Sequence, residues 1–246
     1  MTRDATRGPS ITTRKIEPPT APTRRGVTSL AVGFVIALVA MLCFAFIADR
    51  IYDREAFALD AVANPFLHAI SSPALDVVMN GITTLGSVPF VGVVFVVAMV
   101  ILLARDKRAD ALFLAVAIGG SVALNSALKL LIERPRPMLP WAHVLPDYSF
   151  PSGHSMNSLV FYLALAVLTW INVGRRAGGV AVIVALVIAI AVGFSRIYLG
   201  YHYLSDVVGG FAAGLAWLFI VSIAFETIPN AWARRPWPIH HNRTST

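Results

Sequence analysis

The sequence predicts an all-α protein, a bundle of six transmembrane helices with an interfacial helical segment between the first two spans. Three observations predict this class. Of the 246 residues, 57% are hydrophobic and 13% charged, with a mean hydropathy of +0.72. Soluble domains carry about 25% charged residues, so the polar covering that a water-facing surface needs is missing. The apolar residues also gather into six uncharged runs, each roughly one bilayer thick. Finally, there is no internal repeat and no heptad pattern, and one domain accounts for the length. A soluble enzyme and a disordered chain are excluded.

The elements follow in order. Residues 1–26 hold Arg3, Arg7, Arg14, Lys15, Arg24 and Arg25 among Thr and Pro, with little to bury, and read as a flexible basic tail. Run 27–48 is long enough to cross a bilayer and longer than the roughly 7–15-residue core of a signal peptide, so it reads as a retained helix. Runs 85–104, 111–128, 155–173, 177–195 and 207–225 supply five more spans. Residues 49–84 mix Asp49, Asp53, Glu55 and Asp60 with Phe57, Phe66, Leu67, Ile70 and Leu75, which suits short interfacial helices better than a crossing. The membrane domain is thus 27–227, and 228–246 form a second tail.

Six spans place both termini on one side, and the basic residues say which. With the N-terminus inside, fourteen of the 20 Lys and Arg lie in the tails and inner loops. Six lie outside, namely Arg50, Arg54, Lys129, Arg134, Arg136 and Arg196. The positive-inside rule makes both termini cytoplasmic and the protein multi-pass in the cell (inner or plasma) membrane. The net charge of +7 and the pI near 10.1 then report topology, and nucleic acid is not an expected partner. The single cysteine, Cys43, cannot form an internal disulfide and reads as a small buried packing residue.

Four of the outer basic residues sit at span ends, where charge is costly unless it serves a purpose. Lys129 closes the third span, Arg134 and Arg136 follow in Glu133-Arg134-Pro135-Arg136-Pro137, and Arg196 closes the fifth. Snorkelling toward head groups explains each of them alone, but not the histidines on the same face. Pro151-Ser152-Gly153-His154 opens the fourth span. A Ser followed by Gly at a helix start offers a cap oxygen and free backbone N–H groups, an anion site with His154 in proton-transfer reach. His202 and Asp206 are four apart, a helical spacing that lets a carboxylate fix the tautomer of an imidazole and free its other nitrogen for attack. Arg196 and His202 would point roughly 120° apart on one helix, so Gly200 is expected to turn the chain, with the sixth helix starting near His202.

These residues resemble the type 2 phosphatidic acid phosphatases, whose superfamily includes the vanadium haloperoxidases. That family's first motif is Lys, six residues, then Arg-Pro, matched by Lys129 and Arg136-Pro137. The second, Pro-Ser-Gly-His, is matched by 151–154. The third is Ser-Arg, five residues, His, three residues, Asp, matched by Ser195, Arg196, His202 and Asp206. The resemblance implies a lipid phosphatase acting through a phosphohistidine on His202, with Asp206 orienting it and His154 as acid and then base. It also implies a phosphate clamp of Lys129, Arg136, Ser152, Gly153 and Arg196. The active site would lie on the extracytoplasmic face, with phosphatidic acid, phosphatidylglycerol phosphate or a polyprenyl diphosphate as substrate.

Other readings stay open at this stage. A phosphotransferase could use the same phosphohistidine, and a transporter could hold charges in the membrane, although it would place them nearer the midplane. A haloperoxidase suits six spans poorly. No cofactor and no metal site is expected, since the outer motif region has only Glu133, Asp147 and Asp206 as carboxylates and divalent-ion catalysis needs several that converge. Glu133 is expected to pair with Arg134 or Arg136, and Asp147 to be an ordinary loop residue. His68 and His143 read as interfacial, and His240 and His241 fall in the inner tail. Trp141, Trp170, Trp232 and Trp237 read as interface anchors and Trp217 as packing or lipid-facing. The oligomeric state is not legible.

Overall fold

The computed structural model describes residues 24–55, 57–142 and 145–227, with side chains from 33 to 226 within those ranges. Most of the expected basic N-terminal tail and the 228–246 tail lie outside the described residues, as do His143, Trp232, Trp237, His240 and His241. The described chain is all helix, with no strand: α1 (Arg24–Tyr52), α2 (Ala58–Ala69), α3 (Pro73–Thr84), α4 (Val88–Ala104), α5 (Arg108–Ile132), α6 (Gly153–Asn172), α7 (Arg175–Tyr198) and α8 (Leu204–Thr227). Five of these are long and apolar enough to cross a membrane by themselves: Gly33–Tyr52 of α1, then α5, α6, α7, and Leu204–Glu226 of α8.

The second expected span differs in form. α4 has 17 residues, about 25 Å at 1.5 Å per residue, which is short of a hydrocarbon core of about 30 Å. α3 and α4 together pass as one span bent by 41°. The break is built into the sequence: Gly86 and Ser87 interrupt the helix, Ser87 Oγ accepts from Phe90 N at 3.4 Å, and Pro89 in the first turn has no N–H to satisfy. The segment 49–84 therefore does form short helices, and the last of them, α3, joins α4 across the bend, so that the two together make the sixth candidate span.

α6 is the central helix. Over half of its span is buried, against a third or less for α1, α5 and α7, and it packs on α5, α7 and α8. Its buried Leu159, Val160, Phe161 and Ala164 join Phe113, Leu114 and Ala117 of α5, Ala185 and Ala189 of α7, and Leu218 and Val221 of α8. Small residues let the backbones close in. A side chain at Gly120 of α5 would collide with the Trp217 indole, whose Nε1 instead donates to Ala117 O at 2.9 Å. Trp217 is thus a packing residue of the α5–α8 contact. Cys43 is only partly buried, beside the cluster of Ile47, Ile51 and Phe150.

The outward faces are apolar. Phe34, Val35, Val39 and Leu42 on α1, Val93, Val96 and Val100 on α4, and Val180, Ile183 and Val187 on α7 are all exposed. An apolar surface of that extent needs hydrocarbon rather than water around it.

Candidate active site

The three motifs meet at one end of the bundle, where α5 and α7 finish and α6 and α8 begin. α5 ends because Glu133 turns into the left-handed region (φ 50°), after which the 133–152 loop crosses the bundle end. α7 ends at Tyr198, and Gly200 (φ 75°) makes the turn that the sequence anticipates. His202 stands in that turn rather than on the sixth span, and α8 starts two residues later. The pairing with Asp206 in the first turn of α8 survives: His202 Nδ1 lies 3.4 Å from Asp206 Oδ2. The His202 main chain is held separately, its N–H donating to Arg196 O at 3.3 Å and its carbonyl accepting from Asn64 Nδ2 at 3.2 Å.

Two acceptors face Nδ1. Ser149 Oγ donates to Asp206 Oδ2 at 2.5 Å and lies 3.3 Å from His202 Nδ1, so the hydroxyl and the carboxylate both favour a proton there. Nε2 faces Arg136 Nη1 at 3.3 Å. His202 is fully buried; burial pushes it down to about 4, with Arg136 and Arg196 adding to the shift and Asp206 opposing it. The ring is therefore neutral at neutral pH, with a lone pair on Nε2.

Around Nε2 stand the cations. Arg136 donates to Tyr201 O at 2.7 Å and to Asp147 O at 3.0 Å, and its Nη2 reaches Asp147 Oδ1 at 2.6 Å. Lys129 donates to Asp147 Oδ2 at 2.5 Å and to Tyr148 O. Asp147 is thus not an ordinary loop residue: it bridges Lys129 and Arg136, the two cations of the first motif. Burial raises its carboxyl, but the hydrogen bonds and charges of Lys129 and Arg136 outweigh that and hold it at about 2. Contrary to expectation, Glu133 makes no ion pair with Arg134 or Arg136; its charge acts on the Tyr148 hydroxyl instead. The αL turn at Glu133 ends α5, and the arginines that follow it in sequence find Asp60, Asp206 and Asp147 instead.

Arg196 is buried. It donates to Thr83 Oγ1 at 3.0 Å, lies over the Tyr201 ring at 4.2 Å, and keeps a buried Nε without a partner. His154, on the first turn of α6, interacts electrostatically with Arg196, His202, Arg136 and Lys129. Ser152 caps α6, its Oγ accepting from Ser155 N at 3.5 Å and from Ser155 Oγ at 3.0 Å, while its own N–H donates to Asp206 O at 3.0 Å. The Gly153 turn is backed by Asn125 of α5, which donates to Pro151 O at 3.2 Å and leaves no room for a side chain at Gly153. The eight residues to which the resemblance gives a role all stand at this end of the bundle.

Sequence reasoning missed the supports. Ser149, Asp147, Asn125, Asn64, Thr83, Asp60 and Arg134 lie outside the motifs, on α2, α3, α5 and the 133–152 loop. Buried Asn64 and Asp60 in an otherwise apolar helix were the available signal for α2. His68 proves to be more than an interfacial residue, because it stacks on Trp141 (3.8 Å between ring centres, 2° between planes). Trp141 lies in turn against Gly200, fastening the loop to the α7–α8 turn.

This arrangement can be set beside known proteins. The family model of the PAP2 superfamily matches residues 110–229, which contain every motif residue. Phosphatidylglycerophosphatase B of Bacillus subtilis is 36% identical over 186 residues, covering 73% of this chain and 90% of that protein. A putative undecaprenyl-diphosphatase of Escherichia coli is 30% identical over 120 residues, 47% of this chain and 57% of its own length. The crystal structure of a transmembrane PAP2-type phosphatidylglycerolphosphate phosphatase from Bacillus subtilis superposes with a TM-score of 0.72 at 34% identity, covering 78% of this chain and 96% of that one. With a relative this similar along most of its length, and a matching fold, the chain belongs to the PAP2 superfamily and is a multi-pass membrane phosphatase of that type.

Proposed function

We propose that the protein dephosphorylates a lipid phosphate through a phosphohistidine on His202, at a site on the extracytoplasmic face of the cell membrane, with both termini cytoplasmic. One observation carries the mechanism: Nδ1 of His202 faces Asp206 and Ser149, while Nε2 faces the arginine of the first motif. Nε2 attacks phosphorus as the bond to the leaving oxygen breaks, and His154 donates the proton that oxygen needs. His154 then takes a proton from water, whose oxygen attacks the phosphohistidine and regenerates His202. Lys129, Arg136 and Arg196, with the Ser152 hydroxyl and the Gly153 N–H at the start of α6, bind the phosphate oxygens and stabilise their developing charge.

The names of the relatives guide the substrate class. Phosphatidylglycerol phosphate is the first to test, a polyprenyl diphosphate the second. The basic tails at 1–26 and 228–246 stay on the inner side, and the membrane domain spans 27–227. In detergent-purified protein with chelator present, His202→Ala should abolish phosphate release from phosphatidylglycerol phosphate, while circular dichroism still reports the helices. Undiminished turnover in that variant would remove the nucleophile from this mechanism.

A further inference from the structure

Arg134 belongs to none of the three motifs, yet it makes ion pairs with two buried carboxylates at this end of the bundle. Its Nη1 donates to Asp206 Oδ1 at 2.5 Å and to Ser205 Oγ at 2.7 Å, and its Nη2 donates to Asp60 Oδ2 at 2.8 Å. The guanidinium lies over the Tyr203 ring at 4.1 Å. Asp60 arrives from α2 and is itself buried; its Oδ1 accepts from Ser205 N at 2.8 Å and its Oδ2 from Ser205 Oγ at 2.5 Å. One guanidinium thus stands between two buried carboxylates, bolted to the first turn of α8.

We propose that Arg134 and Asp60 form a positioning pair: Arg134 holds the Asp206 carboxylate against His202 Nδ1, and Asp60 neutralises Arg134 so that the negative charge of Asp206 remains available to the imidazole. The inference rests on the phosphohistidine reading above. When Nε2 bonds to phosphorus, the ring carries a positive charge with its proton on Nδ1, and it needs a fixed counter-charge in a site that excludes water. Asp60, Arg134 and Asp206 together carry one net negative charge, which is that counter-charge. Without Asp60, the guanidinium competes with the imidazolium for Asp206. Without Arg134, two buried carboxylates face each other across Ser205 with nothing between them.

The remaining oxygen positions agree with this division. Asp206 Oδ1 is taken by Arg134, and Oδ2 by Ser149, Tyr203 N and His202. The other charged groups near the imidazole are Arg136, Arg196 and His154, with Lys129 near Asp206; these stand on the phosphate side. Both terminal nitrogens of Arg134 are already spent on protein oxygens, so its action on the reaction runs through Asp206.

The test is a charge cycle in the full-length protein, with phosphatidylglycerol phosphate as substrate and His202→Ala as the reference. Arg134→Gln should lower kcat on the order of 100-fold while KM moves by less than about threefold, the pattern of a lost transition-state interaction. Asp60→Asn should also lower kcat. The double variant, which removes a positive and a negative charge together, should turn over about tenfold faster than either single variant. A structural role alone would show the same compensation in thermal stability but leave kcat per folded molecule unchanged, so kcat is read on the folded fraction. If Arg134→Gln does not fold, the comparison of Asp60→Asn with the double variant still decides. A raised KM at unchanged kcat, or a double variant no faster than Asp60→Asn, overturns the proposal. Activity retained in His202→Ala would instead overturn the nucleophile assignment beneath it.

Discussion

At the scale of the residue, the proposed phosphate clamp already holds a carboxylate. Asp147 accepts from both Lys129 and Arg136, the two cations of the first motif, and is half-exposed at the mouth of the site. A phosphate entering the clamp has to compete for those donors, so Asp147 is an internal rival of the substrate. Asp147→Asn keeps the oxygen but loses the charge, and should tighten competitive inhibition by inorganic phosphate by about fivefold, the scale of one partly exposed charge-assisted bond. The sign with pH follows from the carboxyl being held at about 2: it is ionised at every working pH, so the variant should gain at both pH 5 and pH 8, and more at pH 8, where inorganic phosphate is the dianion. An inhibition constant that stays the same or worsens would make Asp147 a scaffold for the loop instead. The three motifs were legible because each sets charged or hydrogen-bonding side chains at a fixed spacing beside an apolar run. Asp147, Ser149 and Arg134 were not, because their partners are set by how the 133–152 loop folds back, and spacing along the chain says nothing of that.

At the scale of the element, the α3–α4 break is what connects the second span to the chemistry. Thr83, at the end of α3, holds Arg196, and Gly86, in the break itself, lies where a Cβ would meet Val192 of α7 at 2.5 Å and the His154 ring at 3.4 Å. The bend thus brings α3 and the break itself against both Arg196, proposed to bind phosphate, and His154, the proposed proton donor. The sequence showed an apolar run from 85 and a polar mixture before it, and hydropathy alone divided them into a crossing and a surface segment. What hydropathy does not carry is that α3 packs on α7 and meets α4 at an angle of 41°. Filling the break should therefore cost function. Gly86→Val has no space without moving Val192 or His154, and should lower kcat by about tenfold or more while the helix content is kept. Gly81→Ala, five residues earlier and facing open space, is the control and should behave as the unaltered protein. Equal activity in both would separate the bend from the site.

At the scale of the whole molecule, hydrophobicity and charge do different work. The apolar runs gave the helices and most of their limits, since lipid-facing backbone must satisfy its own hydrogen bonds and a helix does so within one segment. The charges give orientation, and orientation decides which face of the membrane the site meets. Arg105, at the end of α4, and Lys129, at the end of α5, must lie on opposite faces, because α5 runs from one end of the bundle to the other. The positive-inside count puts Arg105 inside and the motif cluster outside. Both faces offer reporters: Met138 of the 133–152 loop is 90% exposed, and Arg105 is exposed at the opposite end. In a Cys43→Ser background, Met138→Cys should react with a membrane-impermeant maleimide on intact cells, and Arg105→Cys only after permeabilisation. The reverse pattern would place the phosphate clamp in the cytoplasm and leave fourteen basic residues outside, and the orientation would have to be abandoned. The arrangement of His202, Asp206 and Arg136 would be untouched by that result, because it depends on helix packing, whereas the face on which the lipid phosphate is met depends on where the remaining basic residues stayed.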